Sequence, residues 1–263
     1  MSEWRDKWAV VTGASAGIGW ALADQLAAGG THLVLTARRR ARLEELAKKL
    51  STERHIKTEI VTADLETHTG PEEVFAFTEN KGLQVDLLVN NAGFGAYGEF
   101  SEINLPAQLG IVQVNCSAVV HLTHLYLPGM IERRQGDILI VASTAGFQGV
   151  PYMATYGASK AFDLLFAEAL AEEVARYGIR VCALCPGPTE SEFGQVAGSP
   201  KRSPKGTEAA EKVARVGLRA LAAGKHSVIS GRTNWVGAEI QRLLPRRLVT
   251  KGTAVVFRPK ELR

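Results

Sequence analysis

Thr12-Gly13-Ala14-Ser15-Ala16-Gly17-Ile18-Gly19 joins a short apolar run, Trp8–Thr12, to residues 17–28 (GIGWALADQLAA), whose apolar positions recur at helical spacing. The order strand, glycine turn, helix follows. Glycines allow a tight turn and let its backbone come close to a ligand. The amino end of the following helix offers unpaired N–H groups and a partial positive charge, which suit a pyrophosphate. Gly29-Gly30 then stops the helix.

The same alternation continues outward. His32–Ala37 reads as a strand, 39–50 as a helix rich in Ala, Leu, Glu and Lys, and 56–62 as a strand leading into Asp64-Leu65. A helix is expected from about Pro71, a strand at Val85–Asn90, and a long helix from Pro106 to about Met130. Ile138–Ala142, a helix over 155–177, Ile179–Leu184 and a short strand at Val228–Ile229 complete the pattern. This predicts an α/β fold in one domain, a doubly wound, mostly parallel seven-stranded sheet flanked by helices. Residues 190–207 (ESEFGQVAGSPKRSPKGT) break the rhythm. They follow the carboxyl end of a strand, where open α/β sheets bind ligands, and are expected to form a lid.

The chain has 263 residues, 46% hydrophobic and 22% charged, enough to bury a large core without staples. Acidic and basic residues crowd its first seven positions, so no secretory leader is expected and the default compartment is the cytoplasm. Net charge is +4, but residues 225–263 alone carry +7, a basic tail rather than a nucleic-acid-binding surface. Cys182 and Cys185 have a metal-like spacing. In a strand they point to opposite faces, as two core thiols.

Chemistry concentrates between Ser143 and Lys160. If Tyr156 opens a helix, Lys160 lies one turn on, on the same face. A phenol is a poor acid or base at neutrality, and a neighbouring ammonium favours its ionised form. Ser143 adds a hydroxyl at a strand end. The second strand ends in Ala37 and Arg38-Arg39-Arg40, where a carboxylate would hold an unphosphorylated ribose. Cations at a helix amino end oppose its dipole, so a bound anion is expected there. Arg38, supported by Ser15, is the chosen partner for the 2′-phosphate of NADP(H), while Arg39 and Arg40 read as a solvated helix start.

These motifs together resemble the short-chain dehydrogenase/reductase family over about residues 7–230. The chain carries its T-G-x-x-x-G-I-G at Thr12–Gly19, N-N-A-G at Asn90–Gly93, the helix asparagine Asn115, the serine Ser143, Y-x-x-x-K at Tyr156–Lys160, and P-G-x-T at Pro186–Thr189. The resemblance implies a Rossmann-type fold and a catalytic set of Asn115, Ser143, Tyr156 and Lys160. Tyr156 would be the general acid or base, Lys160 would tune it and hold the nicotinamide ribose, Ser143 would bind the substrate oxygen, and Asn115 would anchor a relay water. It further implies cofactor contacts from Gly13, Ser15, Ala16, Gly17, Ile18, Gly19, Asp64, Leu65, Asn91, Ala92, Gly93, Tyr156, Lys160, Pro186, Gly187 and Thr189. Relatives assemble through their fifth and sixth helices, so a homodimer or homotetramer is expected.

His121 and His124 read as structural, and no metal is expected. Residues 1–233 form the catalytic domain, and 234–263 a basic extension resembling the tails of DltE-like bacterial oxidoreductases. In that extension Val236, Ile240, Leu243 and Leu244 share a helical face beside Arg242, Arg246 and Arg247. Packing on the same domain or a neighbouring subunit is favoured over membrane contact. Phe94, Tyr97, Phe147, Tyr152 and Phe193 make the expected pocket apolar. The reading is therefore an NADPH-dependent reductase of a lipophilic ketone or aldehyde. Its alternatives are a 3-oxoacyl thioester reductase and a cofactor-sensing protein without turnover.

Overall fold

The structure, a computed structural model, describes residues 3–199 and 206–259. Seven strands, β1 (Trp8–Thr12), β2 (His32–Ala37), β3 (Thr58–Thr62), β4 (Val85–Asn90), β5 (Gly136–Val141), β6 (Ile179–Cys185) and β7 (Ser227–Ile229), form one sheet in the order β3-β2-β1-β4-β5-β6-β7. Every pairing is parallel, so the sheet is more uniform than the mostly parallel one expected. The order reverses between β1 and β4. That switch point opens a crevice at the carboxyl ends of the strands.

Alternation along the strands builds two cores. Val11, Leu33, Leu35, Leu87, Val89, Leu139 and Leu184 face α1 (Gly17–Ala28), α2 (Arg40–Arg54) and α8 (Ala210–Ala222). Val10, Val34, Leu88, Ile138, Ile140 and Val181 face α3 (Gly70–Asn80), α5 (Ala118–Arg133) and α6 (Ala154–Val174). Cys182 lies in the first core and Cys185 in the second, both fully buried free thiols. Burial pushes the Cys182 thiol up to about 12, so it stays protonated and inert.

The long helix expected from Pro106 is interrupted. α4 (Leu105–Val112) passes through a π-turn, Gln113–Ser117, before α5. Nothing in local composition marks such a turn; it widens the helix where Asn115 must reach inward. The run Leu105–Arg133 is long and apolar enough to cross a membrane, but it is a central packing helix of the fold, with Ile111, Val114, Ala118, Leu122, Tyr126 and Met130 buried.

Within the segment expected as a lid, Phe193–Val196 forms a short helix, α7. Ala197 is buried beside Val150 and Met153, and Phe193 packs on the same cluster. Residues 200–205 lie outside the described ones. The tail forms α9 (Arg232–Arg242) and α10 (Arg246–Phe257), which lie on the same domain. Ala238 is buried, Tyr97 donates its hydroxyl to the Phe257 carbonyl at 2.8 Å, and Thr250 lies over Gly149.

At the opposite end of the sheet Arg180 grips Asp137 with two bonds of 2.6 and 2.8 Å, and the fully buried Trp4 indole donates to the same carboxylate at 2.7 Å. Asp137→Ala leaves the Trp4 indole and the Nε and Nη2 of Arg180 without this acceptor, while Arg180 Nη1 keeps Glu3 and the Ala222 carbonyl. The expected cost is about 2 kcal/mol, discounted because the Arg180 side chain keeps 31% of its surface in water. Thermal denaturation should register a fall in Tm of roughly 5 °C.

Candidate active site

The β1–α1 turn is held against the end of β4 by side chains rather than by sheet bonds. Thr12 Oγ1 accepts from the N–H groups of both Asn91 and Ala92 at 2.9 Å, and Asn91 Nδ2 donates to the Thr12 carbonyl at 2.8 Å. Gly13 turns with φ +65°, and a Cβ there would stand 2.8 Å from Asn91 Nδ2. At Gly19 a Cβ would collide with the Gly13 carbonyl and the Asn91 amide. These glycines are required by close packing of turn, helix and β4. Asn91 thus serves the frame of the site through its amide. The α1 N-cap, Ala16, provides no side-chain oxygen, so the first N–H groups of α1 are left for an anion.

One cleft of about 1010 Å³ lies over this turn. It is lined by every residue that the sequence assigned to cofactor or catalysis except Asn115. Asn115 is wholly buried behind the wall. Its Oδ1 accepts from Phe94 N–H at 3.1 Å, and its Nδ2 donates to the Phe94 carbonyl at 3.0 Å and to Ser159 Oγ at 2.9 Å. The π-turn therefore delivers a clamp on the Gly93–Phe94 backbone, and Gly93 keeps the room between Asn115 and Lys160 open.

Ser143 follows β5 and caps a short 3-10 turn, Thr144–Phe147, its Oγ accepting from Ala145 N–H at 3.1 Å. Tyr156 stands in the first turn of α6, its ring 4.9 Å from that of Phe193 and pressed close to Gly95. Lys160, one turn on, is buried. Two of its three N–H donors are engaged, by the Val141 carbonyl at 2.7 Å and by Asp163 Oδ2 at 2.9 Å. One remains for a ligand. Burial works against this charge, but the Asp163 carboxylate, then Tyr156, outweigh it and hold the ammonium protonated above the ordinary lysine range. Asp163 is itself buried, and its Oδ1 has no partner. The sequence reading did not single it out, although its position three residues after Lys160 places both on one helical face.

The arginine cluster divides differently from the expectation. Arg38 lines the cleft but turns its guanidinium to Glu66 at 3.4 Å, with 62% of the side chain exposed. Arg39 reaches Ser15, with Nη2–Oγ 3.1 Å and Nε–Oγ 3.3 Å, and its Nη1 meets Glu192 Oε2 at 2.8 Å. Ser15 is buried at the turn. Arg39 thus sets a cation beside Ser15, between the glycine turn and the segment after β6. Asp64 and Leu65 also line the cleft, Asp64 Oδ1 capping the Glu66 N–H at 3.0 Å. Thr189 bonds back to the Gly187 carbonyl at 3.0 Å. His121 faces Glu72 at 3.7 Å.

A glycine cradle that a Cβ would fill, uncapped N–H groups and a guanidinium beside a buried serine fit a phosphorylated dinucleotide, and Ser143, Tyr156 and Lys160 line the same cleft. Residues 7–201 match the short chain dehydrogenase family. An uncharacterized oxidoreductase of Staphylococcus saprophyticus is 35% identical over 187 residues, 71% of this chain and 80% of that one. The very-long-chain 3-oxoacyl-CoA reductase-B of Danio rerio is 31% identical over 260 residues, 93% of this chain and 78% of its own. Among solved structures, a short-chain dehydrogenase from Sphingobium yanoikuyae in complex with NADPH superposes with a TM-score of 0.82 at 28% identity, covering 90% of this chain and 94% of that one. The chain belongs to the short-chain dehydrogenase family. It is an oxidoreductase, which sets aside the reading of a sensor without turnover.

Proposed function

We propose that this enzyme uses NADPH to reduce a lipophilic ketone or aldehyde to an alcohol. The observation that carries the reading is the pairing of Tyr156 with a buried, carboxylate-backed Lys160 in the cleft that also holds the phosphate turn. Bound there, NADPH supplies the hydride. Ser143 donates its hydroxyl to the substrate oxygen and places it beside Tyr156. Tyr156 gives its proton to that oxygen as negative charge develops on it. The Lys160 ammonium stabilises the phenolate that results and offers its remaining N–H to the nicotinamide ribose. Asn115 anchors the water through which Lys160 and Tyr156 are reprotonated. Phe94, Tyr97, Met153, Phe193 and Val256 give the substrate end of the cleft apolar walls.

Preference for the phosphorylated cofactor is assigned to Arg39 and Ser15, with Arg38 at the rim. Arg39→Ala should raise the KM for NADPH about tenfold or more while shifting that for NADH less than about threefold, because only the former loses a charge-assisted phosphate contact. Arg38→Ala should act in the same direction and less strongly. Initial rates with both cofactors decide it, and equal losses for NADPH and NADH defeat the assignment.

A second substrate reading, a 3-oxoacyl thioester, is favoured by the likeness to the Danio rerio enzyme over nearly the whole chain. Acyl-CoA and free ketones offered side by side separate the two. The wider proposal includes a cytoplasmic enzyme whose free thiols suit a reducing compartment. It also includes a homodimer or homotetramer formed through α4, α5 and α6. Leu105, Leu109, Val112, Val120, Phe162 and Leu165 stand exposed there, and residues 105–120 contain no charged side chain.

A further inference from the structure

The molecule has a second exposed apolar face, on α9 and α10, and its electrostatics differ from those of the α4–α6 face. The inward sides of both helices are occupied, by Ala238 and Asn234 on α9 and by Val249, Thr250, Thr253 and Phe257 on α10. Their outward sides are not. Trp235, Val236 and Ile240 project from α9, and Leu243, 86% exposed, and Leu244 from the turn between the helices. On α10, Leu248 and Val255 lie two helical turns apart on the side away from Val249, Thr253 and Phe257. The sequence reading expected Val236, Ile240, Leu243 and Leu244 to be covered by packing. On this chain they remain at the surface.

Cations border this apolar strip. Residues 232–258 carry Arg232, Arg242, Arg246, Arg247, Lys251 and Arg258 against the single acid Glu239. Arg242 is bonded to Glu239, and both are exposed. A second copy of the same face would set cation against cation, which disfavours self-pairing. The uncharged face on α4–α6 has no such obstacle. What fits apolar side chains flanked by a net +5 is a surface that is apolar inside and anionic at its boundary.

We infer that α9 and α10 form a docking surface for an anionic lipid bilayer, with Trp235, Ile240, Leu243 and Leu248 entering the interface and Arg242, Arg246, Arg247 and Lys251 meeting lipid phosphates. The end of α10 gives this surface a further consequence. Val256, Phe257 and Arg258 line the active-site cleft, so the docked face borders the cleft mouth. A lipophilic carbonyl partitioned in the bilayer reaches the mouth without crossing water. That last step rests on the proposed function, whereas docking does not.

Co-sedimentation of the full chain with vesicles tests the inference. Vesicles of phosphatidylglycerol and phosphatidylcholine should retain the protein in low salt and release it as salt rises, and pure phosphatidylcholine should retain little. Arg246→Glu, Arg247→Glu and Lys251→Glu combined should lower the partition coefficient by about tenfold or more. Leu243→Asp with Leu248→Asp should lower it comparably. Both variants should keep the wild-type NADPH affinity, which shows them folded and separates a docking failure from a failure of the cofactor reading. Equal sedimentation with the two vesicle types, or charge-reversed protein that binds as well as wild type, overturns the inference. So does an altered sedimentation-velocity mass in the Leu243→Asp, Leu248→Asp protein, because the occupant is then a second copy.

Discussion

Tyr156→Phe should lower kcat by about a thousandfold, within the range carried by a positioned general acid, and leave the dissociation constant for NADPH within about twofold of wild type. The substitution removes one oxygen. The ring that packs 4.9 Å from Phe193 and against Gly95 stays, so the fold and the cleft wall persist. What is lost is the proton donor, and no other hydroxyl is offered the Lys160 cation from the same helical face. Fluorescence titration with NADPH and single-turnover reduction measure the two quantities separately. Full turnover in the variant removes Tyr156 from the mechanism. Loss of NADPH binding together with turnover makes it a structural residue instead.

Asp163→Asn should move the alkaline limb of the rate profile toward lower pH. The sign follows from the balance at Lys160. Burial alone drives a lysine to give up its proton, and the carboxylate 2.9 Å away reverses that tendency. With a neutral amide in its place the desolvation cost is no longer offset, and Lys160 deprotonates at a lower pH than in the wild type. With its folded-state pKa above its unfolded value, Lys160 contributes stability that is full below the ordinary lysine pKa and disappears as pH rises through the folded one, while burial, which raises the Asp163 carboxyl, works against the pair. Asp163→Glu should restore part of the limb. A limb that stays where it was in a folded, NADPH-binding Asp163→Asn protein reduces Asp163 to a packing residue.

The fold was legible because its signals are local. An apolar run in which each face is buried, such as Val85–Asn90 or His32–Ala37, reads as a central parallel strand, and these two strands begin and end where the residues say. The opposite fates of Cys182 and Cys185 follow from strand geometry alone. The departures lie where distant segments decide. The π-turn at Gln113–Ser117 is fixed by the bonds that Asn115 makes to Phe94 and Ser159, partners remote in sequence. Arg38 and Arg39 are indistinguishable in composition. Only the positions of Ser15 and Glu192 select Arg39 for the turn and leave Arg38 to Glu66. Phe193 and Ala197 sit in a polar segment that looks unable to bury anything, and find cover only because Tyr97, Val150 and Tyr156 converge there.

Asp163 is a case between these. Its place three residues after Lys160 is visible in the sequence, but an acid following a lysine at helical spacing is ordinarily a solvated pair. Burial of both partners changes its meaning, and burial belongs to the fold.

The central claim is that Tyr156, backed by Lys160, protonates a carbonyl reduced by NADPH. The direct measurement is stoichiometric: NADPH consumed and alcohol formed, with purified enzyme and a panel of lipophilic ketones, aldehydes and 3-oxoacyl thioesters, wild type beside Tyr156→Phe. The account predicts one alcohol formed per NADPH consumed with at least one carbonyl in the panel, and a rate lower by about a thousandfold in the variant. Tight NADPH binding with no alcohol from any carbonyl, or equal rates in the two proteins, contradicts it.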